Sequence, residues 1–216
     1  MEKSKLLILT GPQGSGNHLW AKILSRHPFV YGWKMKKYWE GHHLEPFSHW
    51  WDDPSKIEDT QTKYNFTSIS CPYFRDNKPC IPKYEEFISK ASKIFDVKVV
   101  VIGRDQSILK AQQERVRGMH TTPLFENEIA KLPNPYFISM ELLYLYKQKY
   151  LEHLREKLEF PIDVDYKDLV DTNEKYIKGR NIFQPLDKEV KKACEESWSQ
   201  IGKTQRKEVT IISIKK

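Results

Sequence analysis

Apolar residues along this chain fall into short blocks that alternate between two periods. Leu6 to Leu9 is an unbroken apolar run, and Leu19, Ile23 and Leu24 then recur at helical spacing. This predicts a strand, a loop and a helix from about Asn17 to Ser25, stopped before Pro28. Phe29 to Trp33 reads as a short second strand, whereas residues 34–65 show no clean period. Phe66 to Ser70 looks like a strand closed by Pro72, and the turn-rich stretch from Arg75 to Pro82 leads into a helix at about 83–95. Val97 to Ile102 reads VKVVVI, the β-branched run expected of a strand buried on both faces of a parallel sheet. A helix at about 106–117 follows. A longer helix is expected over 139–158, with Leu142, Leu143, Leu145, Leu151, Leu154 and Leu158 as its apolar stripe. Ile162 to Val164 and Val209 to Ile214 read as further strands, and residues 187–200 as a last helix. Strands that alternate with helices predict an α/β fold, a doubly wound and mainly parallel sheet flanked by helices. The 216 residues suit one domain over the whole chain. Ligands of such a sheet bind at the carboxyl ends of its strands.

The loop after the first strand reads GPQGSGNH. Gly11, Gly14 and Gly16 let backbone N–H groups turn inward, and the start of the next helix adds partial positive charge. Gly11, Pro12, Gln13, Gly14, Ser15, Gly16, Asn17 and His18 are therefore a candidate phosphate cradle; a tight turn without a ligand is the plainer reading of the same residues. The spacing imitates the P-loop pattern G-x-x-x-x-G-K-[ST], but Asn17 stands at the Lys position and His18 at the Ser/Thr position. The cation for the β/γ-phosphates and the hydroxyl for Mg²⁺ are both missing. That counts against an ordinary ATP or GTP enzyme and leaves an anion site open.

Composition narrows this further. A net charge of +7 points to anionic partners without separating nucleic acid from nucleotide or sulfated sugar. Six Trp and eleven Tyr are present, and the many aromatic residues between Tyr31 and Tyr84 could line a substrate cleft. Cys71, Cys80 and Cys194 are too few and too widely spaced for a disulfide framework or a zinc site, so reduced thiols and no metal are expected, although Cys71 and Cys80 could pair across a loop. There is no secretory segment and no apolar run of membrane-spanning length, so the expectation is a cytoplasmic protein with no membrane partner.

Three segments, in order, resemble the sulfotransferases that use 3′-phosphoadenosine 5′-phosphosulfate (PAPS). GSGNHLW resembles that family's phosphosulfate loop, VKVVVIGRDQSILKAQ its strand–Arg–helix segment, and VDYKDLVDTNEKYI its Tyr-Glu-Asp-Leu segment, matched at Tyr166, Asp168 and Leu169 but not at Lys167. The resemblance implies a P-loop-type domain in which loop amides hold the 5′-phosphosulfate and Arg104 places its guanidinium on the 3′-phosphate. The plainer reading of Arg104 is an ion pair with Asp105. Gln112 stands where the family has a Ser eight residues after the Arg, and its amide can still donate.

Two departures bear on catalysis. The family usually carries Lys or Arg at the position of Gly14, and many members carry a general-base His where this chain has Ser70, Cys71 and Pro72. His18 could stand in for the cation, as could Lys34 or Lys36. His42 or His43, or else His49, could take the proton, although the plainer reading of each is a solvated loop histidine. Arg206 and Lys207 could reach the 3′-phosphate or belong to a solvated tail. The expected function is sulfuryl transfer from PAPS to a hydroxyl or amine of a small-molecule or carbohydrate acceptor, releasing adenosine 3′,5′-bisphosphate, with nucleic acid not the expected partner. The alternatives are a small-molecule kinase and a P-loop nucleotide-binding protein without catalysis.

Overall fold

The computed structural model describes residues 3–32, 45–75 and 78–165. Its centre is strand β1 (Lys5–Pro12), whose alternation sends Leu6 and Ile8 to one face of the sheet and Leu7 and Leu9 to the other, all four fully buried. β1 pairs in parallel with β3 (Tyr64–Cys71) on one side and β6 (Asp96–Gly103) on the other. β2 (Val30–Tyr31) adds to β3, and β7 (Tyr136–Ser139) adds to β6, both in parallel. The result is a five-stranded parallel sheet ordered β2-β3-β1-β6-β7 with helices on both faces, which bears out the expected α/β architecture.

One face is mainly aliphatic. Helix α1 (Asn17–Ser25) buries Trp20, Ala21, Ile23 and Leu24 there, beside Leu143 of α6 (Met140–Tyr146) and Leu151, Leu154 and Leu158 of α7 (Gln148–Leu158). The opposite face is aromatic. Phe47, with Trp50 and Trp51 of α2 (Ser48–Asp52), packs against Tyr84 and Phe87 of α3 (Tyr84–Ile94). Two further helices, α4 (Gln106–Arg117) and α5 (Thr122–Ile129), connect β6 to β7. A small antiparallel hairpin, β4 (Tyr73–Arg75) with β5 (Lys78–Cys80), begins just before the stretch read as a loop, Arg75 to Pro82, and runs into it.

Several expectations change. The helix expected over 139–158 is two helices, broken at Lys147, whose φ of 49° lies outside the helical region. The stripe fails first, since Leu142 and Leu145 are 39% and 71% exposed. Ile162 to Val164 is not a strand: Ile162 is buried in the aliphatic core, but no strand pairs with it. The second strand shrinks to Val30–Tyr31, and Phe29 is exposed. α2, α5 and β7 lie in stretches where no period was read. The expected helix at 187–200, the strand at 209–214, Tyr166, Asp168, Leu169, Cys194, Arg206 and Lys207 lie outside the described residues, as do Lys34 and Lys36. The described residues belong to one compact unit. Among the described residues, no helix is long and apolar enough to cross a membrane.

Candidate anion-binding site

Register brings four elements to one edge. Gly11 of β1 lies beside Ser70 of β3, and Gly103 of β6 lies beside Ser139 of β7, so the glycine loop, Ser70, Arg104 and Ser139 share the carboxyl end of the sheet. The chain winds toward β3 and β2 on one side of β1 and toward β6 and β7 on the other. β1 and β6 therefore flank the topological switch point, where open α/β sheets form their ligand crevice.

The loop is built for a backbone that side chains would obstruct. Gly14 and Gly16 have φ of 85° and 106°, values that cost a residue with a Cβ about 1–2 kcal/mol. A Cβ on Gly16 would also meet Met140 Sδ at 2.5 Å. The Ser15 N–H donates to Pro12 O at 3.2 Å and closes the turn. Helix α1 then starts without a side-chain cap and without an acidic residue in its first turn. The N–H groups of Gly14, Gly16 and Asn17 meet no acceptor among the described residues. An uncapped helix start with open amides favours an anion.

Asn17 is buried, and its side chain is an internal brace. Nδ2 donates to Ser70 Oγ at 3.0 Å, to Pro12 O at 3.3 Å and to Ser15 Oγ at 3.4 Å. Because Pro12 O can only accept, this contact fixes which end of the amide is the nitrogen. Oδ1 is left sealed and unpartnered. Ser70, at the position of the missing base, thus accepts from a neutral amide. His18 is exposed on the first turn of α1, and His49 is exposed on α2 with its ring edge-on to Trp50. His42 and His43 lie outside the described residues.

Arg104 reaches back to the loop. Its Nη1 donates to Gly14 O and to Gln112 Oε1, each at 2.6 Å. The half-buried guanidinium is thereby set against the glycine loop, and its Nη2 and Nε donate to nothing among the described residues. The simple Arg104–Asp105 ion pair is not what forms: the Asp105 carboxylate caps α4 by accepting from Ile108 N–H at 3.0 Å. Glu141 stands nearby, accepting from Asp105 N–H at 2.9 Å and from Ser139 Oγ at 2.8 Å. Burial alone would raise its carboxyl. The backbone N–H groups of Asp105 and Glu141, the Ser139 hydroxyl and the charge of Arg104 outweigh that and hold it below its usual value.

Gln113 ties the loop to the rest of the molecule and was not among the expected site residues. It is 2% exposed. Nε2 donates to Gln13 O at 2.6 Å, while Oε1 accepts from Thr121 N–H at 2.8 Å and from Thr122 N–H at 3.1 Å. The available signal was a polar residue four positions after buried Leu109, on the inward stripe of α4. Glu45 was missed as well. Its Oε1 accepts from Thr67 Oγ1 at 2.6 Å and from Ser68 N–H at 2.7 Å, taking the place on β3 that β2, paired only with Tyr64 and Asn65, leaves vacant.

Four of the described aromatic residues between Tyr31 and Tyr84 belong to the core, whereas Tyr31 is exposed. Phe47, Trp50, Trp51 and Tyr84 are at most 5% exposed, and Trp51 stacks on Phe87 with centroids 3.8 Å apart. Rings of this size bury more apolar surface in the core than any other side chain, and α2 is the element that carries them in. Tyr84 OH shares a 2.6 Å hydrogen bond with Thr10 Oγ1 beneath the loop. Cys71 and Cys80 are both free, and burial pushes the Cys71 thiol up to about 12, which makes it inert as a nucleophile.

Comparison with protein-family models, with curated proteins and with solved structures finds no match to this chain.

Proposed function

We propose that the glycine loop holds the 5′-phosphosulfate of PAPS and that the protein transfers its sulfuryl group to a hydroxyl or amine of a small-molecule or carbohydrate acceptor. On this reading the parallel sheet is a doubly wound domain of the P-loop type, and the strand order and the loop's place at the end of β1 support that. The observation that carries the proposal is the set of unmet N–H groups of Gly14, Gly16 and Asn17 at an uncapped helix start, beside an Arg104 that keeps donors free. Such a constellation fits a multiply charged anion. Each charge-assisted contact contributes roughly 1.5–3 kcal/mol.

The chemistry follows from charge. The acceptor oxygen or nitrogen bonds to sulfur as the bond from sulfur to the bridging phosphate oxygen breaks. Negative charge grows on the departing 5′-phosphate, where the loop amides act. The acceptor's proton must leave, and His42 or His43 is proposed to take it. His18, on the first turn of α1, is proposed to supply charge in place of the missing loop cation. Arg104 and Gln112 are proposed to hold the 3′-phosphate.

A second reading, nucleotide binding without transfer, is favoured by the neutral Asn17–Ser70 contact at the position of the missing base. Calorimetry separates these readings. Adenosine 3′,5′-bisphosphate should bind about tenfold or more tightly than ADP, and Arg104→Ala should erase the difference. Equal affinities, or tighter ADP binding, would rule out the sulfonucleotide reading. Binding abolished by EDTA would favour the kinase. Binding without sulfate transfer from labelled PAPS to any hydroxyl or amine tested would favour the binding protein.

A further inference from the structure

We infer that Gln113 is a positioning residue that aims the Gly14 amide into the anion site, an inference that rests on reading the glycine loop as that site. The two backbone N–H groups of Thr121 and Thr122 fix the orientation of the Gln113 amide, because only an oxygen can accept from them. The nitrogen must then point at Gln13 O, 2.6 Å away. In a trans peptide the carbonyl and the following N–H point in opposite directions. Drawing the Gln13 carbonyl toward α4 therefore turns the Gly14 N–H to the other side of the loop.

The next peptide shows which side that is. Arg104 draws the Gly14 carbonyl in the same way, at 2.6 Å, and the Ser15 N–H that follows it lies on Pro12 O, inside the turn. The positive φ of Gly14 between the two peptides lets both carbonyls be drawn aside in succession. The Ser15 amide is consumed by the turn. The Gly14 amide is not, so it is the one a ligand can use. Gln113 also anchors the Thr121–Thr122 turn, so the same side chain couples that turn to the orientation of the loop peptide.

The test uses inorganic pyrophosphate as the probe and reads amide resonances of the ¹⁵N-labelled full chain. In the wild type, saturating pyrophosphate should shift the Gly14, Gly16 and Asn17 amides together. In Gln113→Met, which removes both hydrogen-bonding ends without adding charge, affinity should fall about tenfold. At saturation the Gly14 shift should be lost while those of Gly16 and Asn17 persist. If Gln113→Met does not fold, Gln113→Glu keeps the acceptor for Thr121 and Thr122 and should show the same selective loss at saturation. A Gly14 shift unchanged in the folded variant would overturn the role of Gln113 and leave the anion site standing. A wild type whose loop resonances respond neither to pyrophosphate nor to adenosine 3′,5′-bisphosphate would overturn the site and this inference together.

Discussion

The glycine loop and the aromatic layer under α2 and α3 are held together by opposite means. The loop is fixed by side chains that donate to its carbonyls: Gln113 to Gln13, Arg104 to Gly14 and Asn17 to Pro12. The aromatic layer is fixed by ring contact, Trp51 on Phe87 and Phe47 on Trp50 with centroids 3.8 and 4.3 Å apart. Hydrogen bonds specify direction, whereas stacked rings fill volume. Damage to the layer should therefore register as lost stability, and damage to the loop as lost binding.

Trp51→Ala should give the largest effect. It removes a buried indole together with the 3.0 Å bond from Nε1 to Thr67 Oγ1, and substitutions of this kind cost about 3–5 kcal/mol. Urea denaturation should report that loss while adenosine 3′,5′-bisphosphate affinity per folded molecule stays near wild type. A large fall in affinity would mean that the two regions are not separable.

Gly16→Ala should come next, with the reverse profile. The strained φ and the contact with Met140 should cost roughly 1–3 kcal/mol and abolish nucleotide binding. Gly118→Ala is the control: its φ is 69° but nothing lies within 4 Å of the added Cβ. It should cost about 1–2 kcal/mol and leave binding intact. Equal binding by Gly16→Ala would remove the loop from the site.

Glu141→Gln should be the smallest and the most informative about charge. The Glu141 carboxyl is held below its ordinary value of 4.5 in the folded protein, so its contribution is present above that value and is lost as pH falls through the depressed one. The difference in melting temperature between wild type and variant should be widest near neutral pH and should close in acid. A gap independent of pH would mean that the amide replaces the carboxylate fully.

Those contrasts also mark where the sequence could be read. The loop was legible because its signal is local: an apolar run, three glycines and a helical period, all within residues 6–24. The strand run at β6 was legible for the same reason. Gln113 was hidden because its partner Gln13 lies 100 residues away. Glu45 was hidden by its distance from Thr67, and by the fact that its job is to replace a strand that stops short. Aromatic density did not say whether the rings face in or out; α2, too short to show a period, decides that. The break at Lys147 lies in an apolar pattern that looks continuous, because Leu142 and Leu145 imitate a stripe they do not join. Arg104 was legible as a strand-end cation, but its bond to Gly14 depends on how β6 lies against β1.

The central position of β1 gives the molecule an order of opening. β1 is paired along Lys5–Pro12 with β3 and along Lys5–Thr10 with β6, whereas among the described residues β2 and β7 each have one neighbour. Amide exchange should therefore spread inward from the rims, with the β2 and β7 amides labelled through local fluctuations and those of β1 only through global unfolding. The strand that feeds the glycine loop would be the last to let go, so the loop's footing on the sheet would outlast its frayed edges.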